Sequence, residues 1–154
     1  MIRQHSISCF NRTSMRKSFI RATLSPDMEI EVETHKRVEL IDITDKAQNL
    51  VEKGSGILVA FVTHTTAGVY VNENEPGLTE DVLNMLDTLV PPQSYKHNRI
   101  DNNADSHLKA ILVGNSAVIP IENGRLRLGT WQRLFFCEFD GPRRRKIHFT
   151  VVLS

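Results

Sequence analysis

The chain has few cysteines, few aromatic residues and no long apolar run. Two of its 154 residues are cysteine, Cys9 and Cys137, and they stand far apart without the paired spacing of a cysteine metal site. A disulfide framework and a cysteine zinc site are therefore disfavoured, and we expect free thiols in a reducing cytosol. No apolar run approaches the ~20 residues that a membrane helix requires. These absences predict a cytoplasmic protein without a membrane span.

The sequence also lacks an excess of charge of either sign. Its 19 basic and 18 acidic side chains leave a formal charge of +1. Such a balance gives no electrostatic argument for a nucleic acid or for an anionic membrane as partner, and we expect neither. The apolar content of 40% and the absence of low-complexity tracts predict one domain with its own core.

Residues 1–26 differ in composition from the rest of the chain. They contain no acidic residue, many serines and threonines, and the basic residues Arg3, Arg12, Arg16, Lys17 and Arg21. This composition is typical of an organelle presequence. The weak amphipathic periodicity favours instead a basic N-terminal extension, or a first strand such as residues 18–24. We place the domain itself at residues 28–154.

From Met28 onward the apolar pattern predicts strands and helices. The stretches "MEIEVET" and "RVELIDIT" alternate with period two and predict a hairpin of half-buried strands. Thr44 is then the expected N-cap of a short helix that ends at Gly54 and buries one face, consisting of Ala47, Leu50 and Val51. "GILVAFV" predicts a central strand, and "GVYVN" predicts another.

Two longer helices are expected in the middle of the chain. Residues 76–90 show helical spacing of Leu78, Val82, Met85, Leu86 and Leu89, and Pro91 and Pro92 end the pattern. A further helix is expected from residues 101–103 to Gly114, with an inward face consisting of Ala104, Leu108, Ile111 and Leu112.

The last 40 or so residues are dominated by strand patterns. Asn123-Gly124 is a strong hairpin signal, because both turn positions require a positive φ. "RLFFCEF" and "KIHFTVVL" are expected to pair across Asp140-Gly141. Strands and helices do not alternate regularly, so the sequence predicts the α+β class with a mainly antiparallel sheet.

Polar residues follow two of these strands where each one ends. His64-Thr65-Thr66 follows the central strand, and Asn72, Glu73, Asn74 and Glu75 end the next. Strand ends present functional side chains on a rigid sheet. A lone histidine there is more often a hydrogen-bonded structural residue, so His64 by itself decides nothing.

Residues 95–110, "YKHNRIDNNADSHLKA", form a second polar stretch. Together with His64, the imidazoles of His97 and His107 and the carboxylate of Asp105 are the kind of ligands that a divalent metal uses. The spacing matches no local ligand motif. In the alternative interpretation, Asp101 and Asn103 cap a helix whose solvated face carries the other polar residues.

Two further stretches carry more polar character than folding requires. Gly129-Thr130-Trp131-Gln132 offers an indole wall and an amide for a small planar ligand, although the only tryptophan could equally belong to the core. "EFDGPRRRK", residues 138–146, is either a solvated hairpin tip or a phosphate clamp.

Taken together, these four stretches resemble the motif blocks of one family. "HTTAGVYVNENEPG", "HNRIDNNADSHLKA", "IENGRLRLGTWQ" and "EFDGPRRR" are similar to those of the YjbQ-like proteins, also called the secondary thiamine-phosphate synthase family. The resemblance covers residues 28–154, and residues 1–26 lie outside it. It implies a single-domain sandwich with a curved, mainly antiparallel sheet covered by helices, assembled as a homotrimer.

The resemblance also implies a function. Members of the family are credited with weak thiamine-phosphate synthase activity, a transferase reaction that joins a hydroxymethylpyrimidine diphosphate to a thiazole phosphate. The sequence has no Gly-rich phosphate loop and no clear aspartate pair for magnesium, which fits a weak activity. A non-catalytic trimer that binds a metal or small ligand, and a metal-dependent hydrolase of a small metabolite, remain alternatives.

The resemblance further implies a pocket near subunit boundaries where histidines hold a divalent metal, zinc or magnesium. Carried over position by position, the expected catalytic residues are His64, Asn72, Glu73 and Asp105. The expected substrate-binding residues are Thr65, Trp131, Gln132 and Arg143. The expected metal ligands are His64, His97 and His107.

Overall fold

The computed structural model describes Thr23–Leu24 and residues 28–154. The elements, in chain order, are β1 (Thr23–Leu24), β2 (Met28–Glu33), β3 (Glu39–Asp42), α1 (Thr44–Gln48), β4 (Gly56–Val62), β5 (Ala67–Glu73), α2 (Pro76–Leu89), a 3-10 turn (Lys96–Arg99), α3 (Ala104–Val113), β6 (Ser116–Glu122), β7 (Arg125–Leu126), β8 (Gln132–Glu138) and β9 (Arg144–Leu153). Apart from Thr23–Leu24, the predicted presequence or basic extension lies outside the residues that the structure describes.

The strands form two antiparallel sheets. In the larger sheet, β9 pairs with β4 along one edge and with β1 and β2 along the other, and β4 continues through β6 to β7. In the smaller sheet, β8 lies between β3 and β5. The predicted α+β class with a mainly antiparallel sheet is confirmed.

The main core lies between the two sheets. Along β4 the side chains of Leu58, Ala60 and Val62 point into this core, while those of Ile57 and Phe61 lie on the outer face of the larger sheet. The sequence predicted this strand from its apolar run, and the alternation of side chains along a strand decides which of them are buried. The outer face keeps large apolar side chains, which a single chain leaves partly exposed.

Helices α2 and α3 cover the outer face of the smaller sheet. Leu86 of α2 and Ala110 of α3 pack there against Cys137 and Phe139. The layers are thus larger sheet, core, smaller sheet and helices. Within the described residues, no helix is long and apolar enough to cross a membrane.

Two predicted hairpins are wrong. β2 pairs with β9 and β3 pairs with β8, so the chain passes from one sheet to the other between β2 and β3. The same is true of β8 and β9, which lie in different sheets. Residues 34–38 contain no glycine, asparagine or aspartate to form a tight turn. By contrast, Asn123 (φ 52°) and Gly124 (φ 76°) form the predicted hairpin between β6 and β7.

The predicted cap and end of α1 also need correction. The helix begins at Thr44 and ends at Gln48, so Gly54 lies in the loop beyond it. The hydroxyl of Thr44 accepts a hydrogen bond from the Leu134 N–H at 2.7 Å instead of capping the helix. This hydrogen bond fixes the start of α1 against β8.

The inward face of α3 is the opposite of the predicted one, apart from Ala104. Ser106 and Lys109 are buried, whereas Ile111 is 75% exposed and Leu112 is 55% exposed. The Ser106 hydroxyl donates to the Phe139 carbonyl, and the Lys109 ammonium pairs with Asp87. These polar contacts turn the apolar face, which also includes Leu108, away from the sheet.

The C-terminal end of α3 approaches β5 closely at Gly68. A Cβ at this position would lie 2.5 Å from the Gly114 carbonyl oxygen, which is backbone and cannot swing away. We therefore expect Gly68→Ala to lower the free energy of unfolding by about 1–3 kcal/mol, measured by urea denaturation. The control is Gly77→Ala, where the Cβ would meet only the exposed Glu75 carboxylate. Equal losses in both variants would contradict this account of the close approach.

Candidate functional site

Three short connections cross between the sheets at one end of the sandwich, which we call the corner end. They consist of residues 34–38, 63–66 and 139–143, and they join β2 to β3, β4 to β5 and β8 to β9. The register places Glu39, Glu138 and Ala67 side by side at this end of the smaller sheet. Side chains from distant parts of the sequence therefore meet there.

A buried ion pair lies at the centre of the corner end. Arg145 Nε donates to Glu138 Oε2 at 2.6 Å, and Arg145 Nη2 donates to Glu138 Oε1 at 2.7 Å. Both residues are buried, and the two parallel bonds match the planar guanidinium to the carboxylate. A buried charge pair requires that its remaining hydrogen-bonding atoms also find partners.

Those partners come from all three connections. The N–H groups of Phe139 and Asp140 donate to Glu138 Oε1, and Arg145 Nη2 also donates to the Thr66 hydroxyl at 2.9 Å. The Thr34 hydroxyl lies 3.5 Å from Glu138 Oε2 and accepts from the Arg143 N–H. The pair thus fixes the position of residues 63–66, which include His64.

His64 is held by a backbone hydrogen bond from β9. The Lys146 N–H donates to His64 Nε2 at 3.0 Å. Burial lowers the pKa of His64 below its ordinary value of 6.5, the charges of Arg145 and His148 lower it further, and Glu138 acts in the opposite direction. The imidazole is therefore neutral near pH 7, with one nitrogen already engaged.

A groove of about 720 Å³ opens beside His64 and separates it from α3; we call it the His64–His107 groove. Thr63, Thr65 and Asn115 supply polar groups, and His107 lies in the wall that α3 contributes. The apolar part of the lining consists of Phe61, Val62, Ala67, Ala110, Ile111 and Gly114. None of these lining residues carries a formal charge with histidine neutral.

The structure brings some of the expected site residues together here. His64, Thr65 and His107 line the groove, and the ring of His97 meets that of His107 edge-on with 4.9 Å between centroids. Within the described residues, however, no group of three or more histidine, cysteine, aspartate or glutamate side chains is arranged to hold a metal. One chain by itself therefore does not fit the expected three-histidine site.

Asp105 and Arg143 also lie at the corner end, but both are engaged in ion pairs. Asp105 Oδ1 accepts from Arg37 Nη2 at 2.9 Å, and its other oxygen lies 3.8 Å from Lys109 Nζ. Arg143 donates to the carbonyl and to the carboxylate of Asp140. Neither side chain lines the groove in this arrangement.

The other expected residues lie at the opposite end of the smaller sheet. Asn72, Glu73, Trp131 and Gln132, which we call the distal cluster, are held together by the pairing of Glu73 with Gln132. Ala67 and Glu73 are the two ends of β5, and ~3.3 Å per residue separates them by roughly 20 Å. A single chain therefore does not join the distal cluster to the groove.

The distal cluster is ordered by its own hydrogen bonds. Gln132 Oε1 accepts from the Gly129 N–H at 2.8 Å, and Asn72 Oδ1 accepts from the Glu73 N–H. Trp131 is 71% exposed, so the interpretation of this tryptophan as a core residue is wrong. An exposed indole on a hydrogen-bonded loop is typical of a contact residue.

The residues that the sequence reasoning missed are Glu138 and Arg145. The sequence predicts a solvated hairpin tip or a phosphate clamp at residues 138–146, yet Arg145 is buried, and Arg143 and Arg144 pair with Asp140 and Glu31. The signal was present in the strand period. Arg145 continues the inward series of Ile147, Phe149 and Val151 along β9, and a cation in that series requires a buried anion.

Thiol chemistry is disfavoured at Cys137. The side chain is fully buried, and burial raises the pKa of the thiol well above its ordinary value. A thiol without access and without thiolate character is not a nucleophile. The polar side chains that line the groove are therefore left with imidazole, hydroxyl and amide groups for chemistry.

Comparison with known proteins places the chain among close relatives. Residues 28–154 match the family model described as "UPF0047 protein YjbQ-like". A UPF0047 protein of Archaeoglobus fulgidus is 53% identical over 121 residues, covering 78% of this chain and 96% of the relative. The UPF0047 protein YugU of Bacillus subtilis is 38% identical, and the match covers 80% of this chain and 96% of the relative.

Solved structures agree with this result. A YbjQ-like protein of unknown function from Sulfolobus solfataricus superposes with a TM-score of 0.83 at 40% identity, covering 86% of this chain and 99% of that one. The hypothetical protein APE1520 of Aeropyrum pernix gives a TM-score of 0.81 at 40% identity, and the match covers 84% of this chain and 100% of that one. The names of these relatives state no activity.

The buried ion pair yields a direct test of what holds the corner end together. Replacing Arg145 by Met leaves the Glu138 carboxylate buried without its partner, so we expect Arg145→Met to cost about 3–5 kcal/mol of the free energy of unfolding. The neighbouring substitution Arg144→Met removes an exposed contact of 3.9 Å and is expected to cost about 0–1 kcal/mol. Urea denaturation of both variants measures these costs, and an equal loss of unfolding free energy in the two would contradict the role given to Arg145.

Proposed function

The chain belongs to the UPF0047 family of YjbQ-like proteins, and on that premise we propose that it is a small-molecule enzyme whose ligand site is the His64–His107 groove. The observation that carries the proposal is the fixed imidazole of His64 at the rim of this groove, held by the Lys146 N–H. The groove volume of about 720 Å³ lies within the ~300–1,000 Å³ of small-molecule sites. Apolar walls with a few polar groups are the usual composition of such sites.

The reaction to test first is thiamine-phosphate synthesis, which the family resemblance suggests. The transfer expels diphosphate from a pyrimidine-methyl carbon while a thiazole nitrogen attacks it. Cationic groups accelerate such a step by stabilising the leaving diphosphate. Because no lysine or arginine among the described residues lines the groove, and Arg143, Arg144 and Arg145 are all paired, a weak activity is what we expect.

The lack of a lysine or arginine among the described lining residues supports a second candidate, a trimer that binds a small ligand without turnover. A groove that lacks a free cation is suited to holding a heterocycle but lacks the groups that activate a phosphate ester. Metal-dependent hydrolysis of a small metabolite is a third candidate, and it requires a metal to activate water. Formation of thiamine phosphate separates the first candidate from the other two, and hydrolysis of a metabolite that stops on chelation identifies the third.

We propose that the active form is a homotrimer. The chain presents two apolar surfaces, one on the outer face of the larger sheet and one on α3. The first consists of Ile57, Phe61 and Val118, and the second of Leu108, Ile111 and Leu112. Contact between the first surface of one subunit and the second surface of the next is heterologous, and such contacts close into a trimeric ring when each subunit is rotated by a third of a turn from the last. Apolar patches of this kind are uncommon on monomers.

A trimer would also explain the position of the distal cluster. Asn72, Glu73, Trp131 and Gln132 lie too far from the groove of their own chain, but a neighbouring subunit can bring its own copy to the groove. The exposed indole of Trp131 and the free amide nitrogen of Gln132 would then contact the ligand. In that arrangement Glu73 and Asn72 are the proposed polar groups for catalysis, whereas Asp105 would have to leave Arg37 before it could reach the ligand.

A divalent metal, zinc or magnesium, remains a prediction for this protein. The rings of His97 and His107 contact each other, and with His64 they are the expected ligands. Because the described part of one chain does not arrange three such groups, a metal bound here would need a further ligand from a second subunit. Any such metal would polarise the diphosphate oxygens of a bound substrate.

The oligomer prediction is tested by a charge on the apolar face of α3. We expect Leu112→Lys to convert the trimer to monomer at micromolar concentration, because a lysine buried in an interface loses its hydration. The control is Ile100→Lys, the same kind of change at an 87% exposed apolar residue outside both surfaces. Light scattering of the parent and both variants checks this, and a monomeric parent would overturn the proposal.

The ligand site and the metal are tested with histidine variants. We expect His107→Ala to lower thiamine-phosphate formation at least tenfold, and to abolish any stoichiometric metal found by mass spectrometry in the parent protein. His148→Ala is the matched control, since His148 lies on β9 outside the groove lining, and we expect activity and metal to persist. Metal lost in the His148 variant, or unchanged activity in the His107 variant, would contradict the site. Assays with and without chelator show whether the reaction needs the metal.

A further inference from the structure

We propose that His64 serves the groove as a neutral hydrogen-bond donor through its Nδ1–H, and neither ligates a metal nor acts as a base. The part of the ligand that lies beside it is then an uncharged hydrogen-bond acceptor, such as a ring nitrogen or a carbonyl oxygen. The identity of the ligand portion rests on the proposed function, because that proposal makes the groove a ligand site. The assignment of the two ring nitrogens rests on geometry alone.

The backbone of β9 decides which nitrogen of His64 carries the proton. The Lys146 N–H lies 3.0 Å from Nε2, and an amide N–H can only donate. Nε2 must therefore accept, and in a neutral imidazole the proton then sits on Nδ1. A ring without a free lone pair cannot bind a metal or take up a proton unless this hydrogen bond breaks.

The end of β4 explains why His64 receives this N–H. The pairing of β4 with β9 ends at Val62 opposite Ile147, so the Lys146 N–H beyond it has no strand partner on that side. The imidazole takes the place of the next strand residue. Turning the ring over would set a C–H against the N–H and leave that donor without its acceptor, so the hydrogen bond also fixes the orientation of the ring.

The charges around His64 agree with this assignment. Arg145 and His148 approach from β9, Glu138 from β8 and His107 from α3, and the Glu138 charge is already matched by Arg145. A metal ion bound at His64 would stand near the Arg145 guanidinium, and within residues 28–154 no carboxylate lines the groove to balance it. An anion would likewise find no lysine or arginine among the lining residues of this range. An uncharged acceptor fits both conditions.

The test measures the tautomer of His64 in the full chain by long-range ¹H–¹⁵N NMR, at a pH about one unit above the ordinary histidine pKa of about 6.5. The signal is assigned with His64→Asn, which keeps a nitrogen donor near the position of Nδ1. If that variant does not fold, single variants of the other histidines assign the signal by elimination. We expect a protonated Nδ1 and an unprotonated Nε2. A protonated Nε2 would overturn the proposal.

Two probes extend the test to the ligand class. Addition of Zn²⁺ up to one equivalent, and separately of inorganic phosphate, is expected to leave both His64 nitrogen shifts unchanged. Loss of either nitrogen signal with zinc would make His64 a ligand, and a phosphate-dependent shift would make the groove an anion site; each overturns the proposal. The product assay is independent of these spectra. A confirmed tautomer without product therefore counts against the proposed enzyme only.

Discussion

The bidentate pair between Glu138 and Arg145 determines the arrangement of the corner end. Each partner is buried, so the carboxylate and the guanidinium are stabilised only by one another and by the backbone and hydroxyl groups around them. Those groups come from the connections between β2 and β3, β4 and β5, and β8 and β9. The two sheets are therefore joined at this end by directional polar contacts as well as by the apolar core.

The position of the groove follows from that arrangement. With Thr66 held by Arg145, the connection after β4 cannot relax into a looser loop, and His64 stays beside the Lys146 N–H. Gly68 then lets the end of α3 approach the start of β5, which places His107 across from His64. The site is built from rigid strand ends and one helix, as preorganised ligand sites generally are.

Much of the fold could be predicted from the sequence because its signals are local. Period-two alternation located β2 and β3, the apolar run "GILVAFV" located β4, and Asn123-Gly124 specified a hairpin, since each signal depends on a few neighbouring residues. Strand partners could not be predicted in this way, because the connections at the corner end contact residues far away in the sequence, as Thr34 does with Glu138 and Thr66 with Arg145. The prediction of the inward face of α3 was wrong because long-range contacts decide this face as well. Ser106 donates to the carbonyl of Phe139, and Lys109 pairs with Asp87. Motif resemblance named His64 and His107, but it could not reveal which ring nitrogen is engaged.

The outward apolar face of α3 connects the proposed binding of a ligand with the proposed association of subunits, two properties that are usually measured separately. Ile111 belongs to that face and also lines the groove, so in the proposed trimer ligand occupancy and subunit contact would act on the same side chain. By thermodynamic linkage, a ligand that prefers one arrangement of Ile111 changes the free energy of association, and association changes ligand affinity by the same factor. A loss of activity after a change at Ile111 therefore cannot by itself distinguish a damaged site from a dissociated assembly.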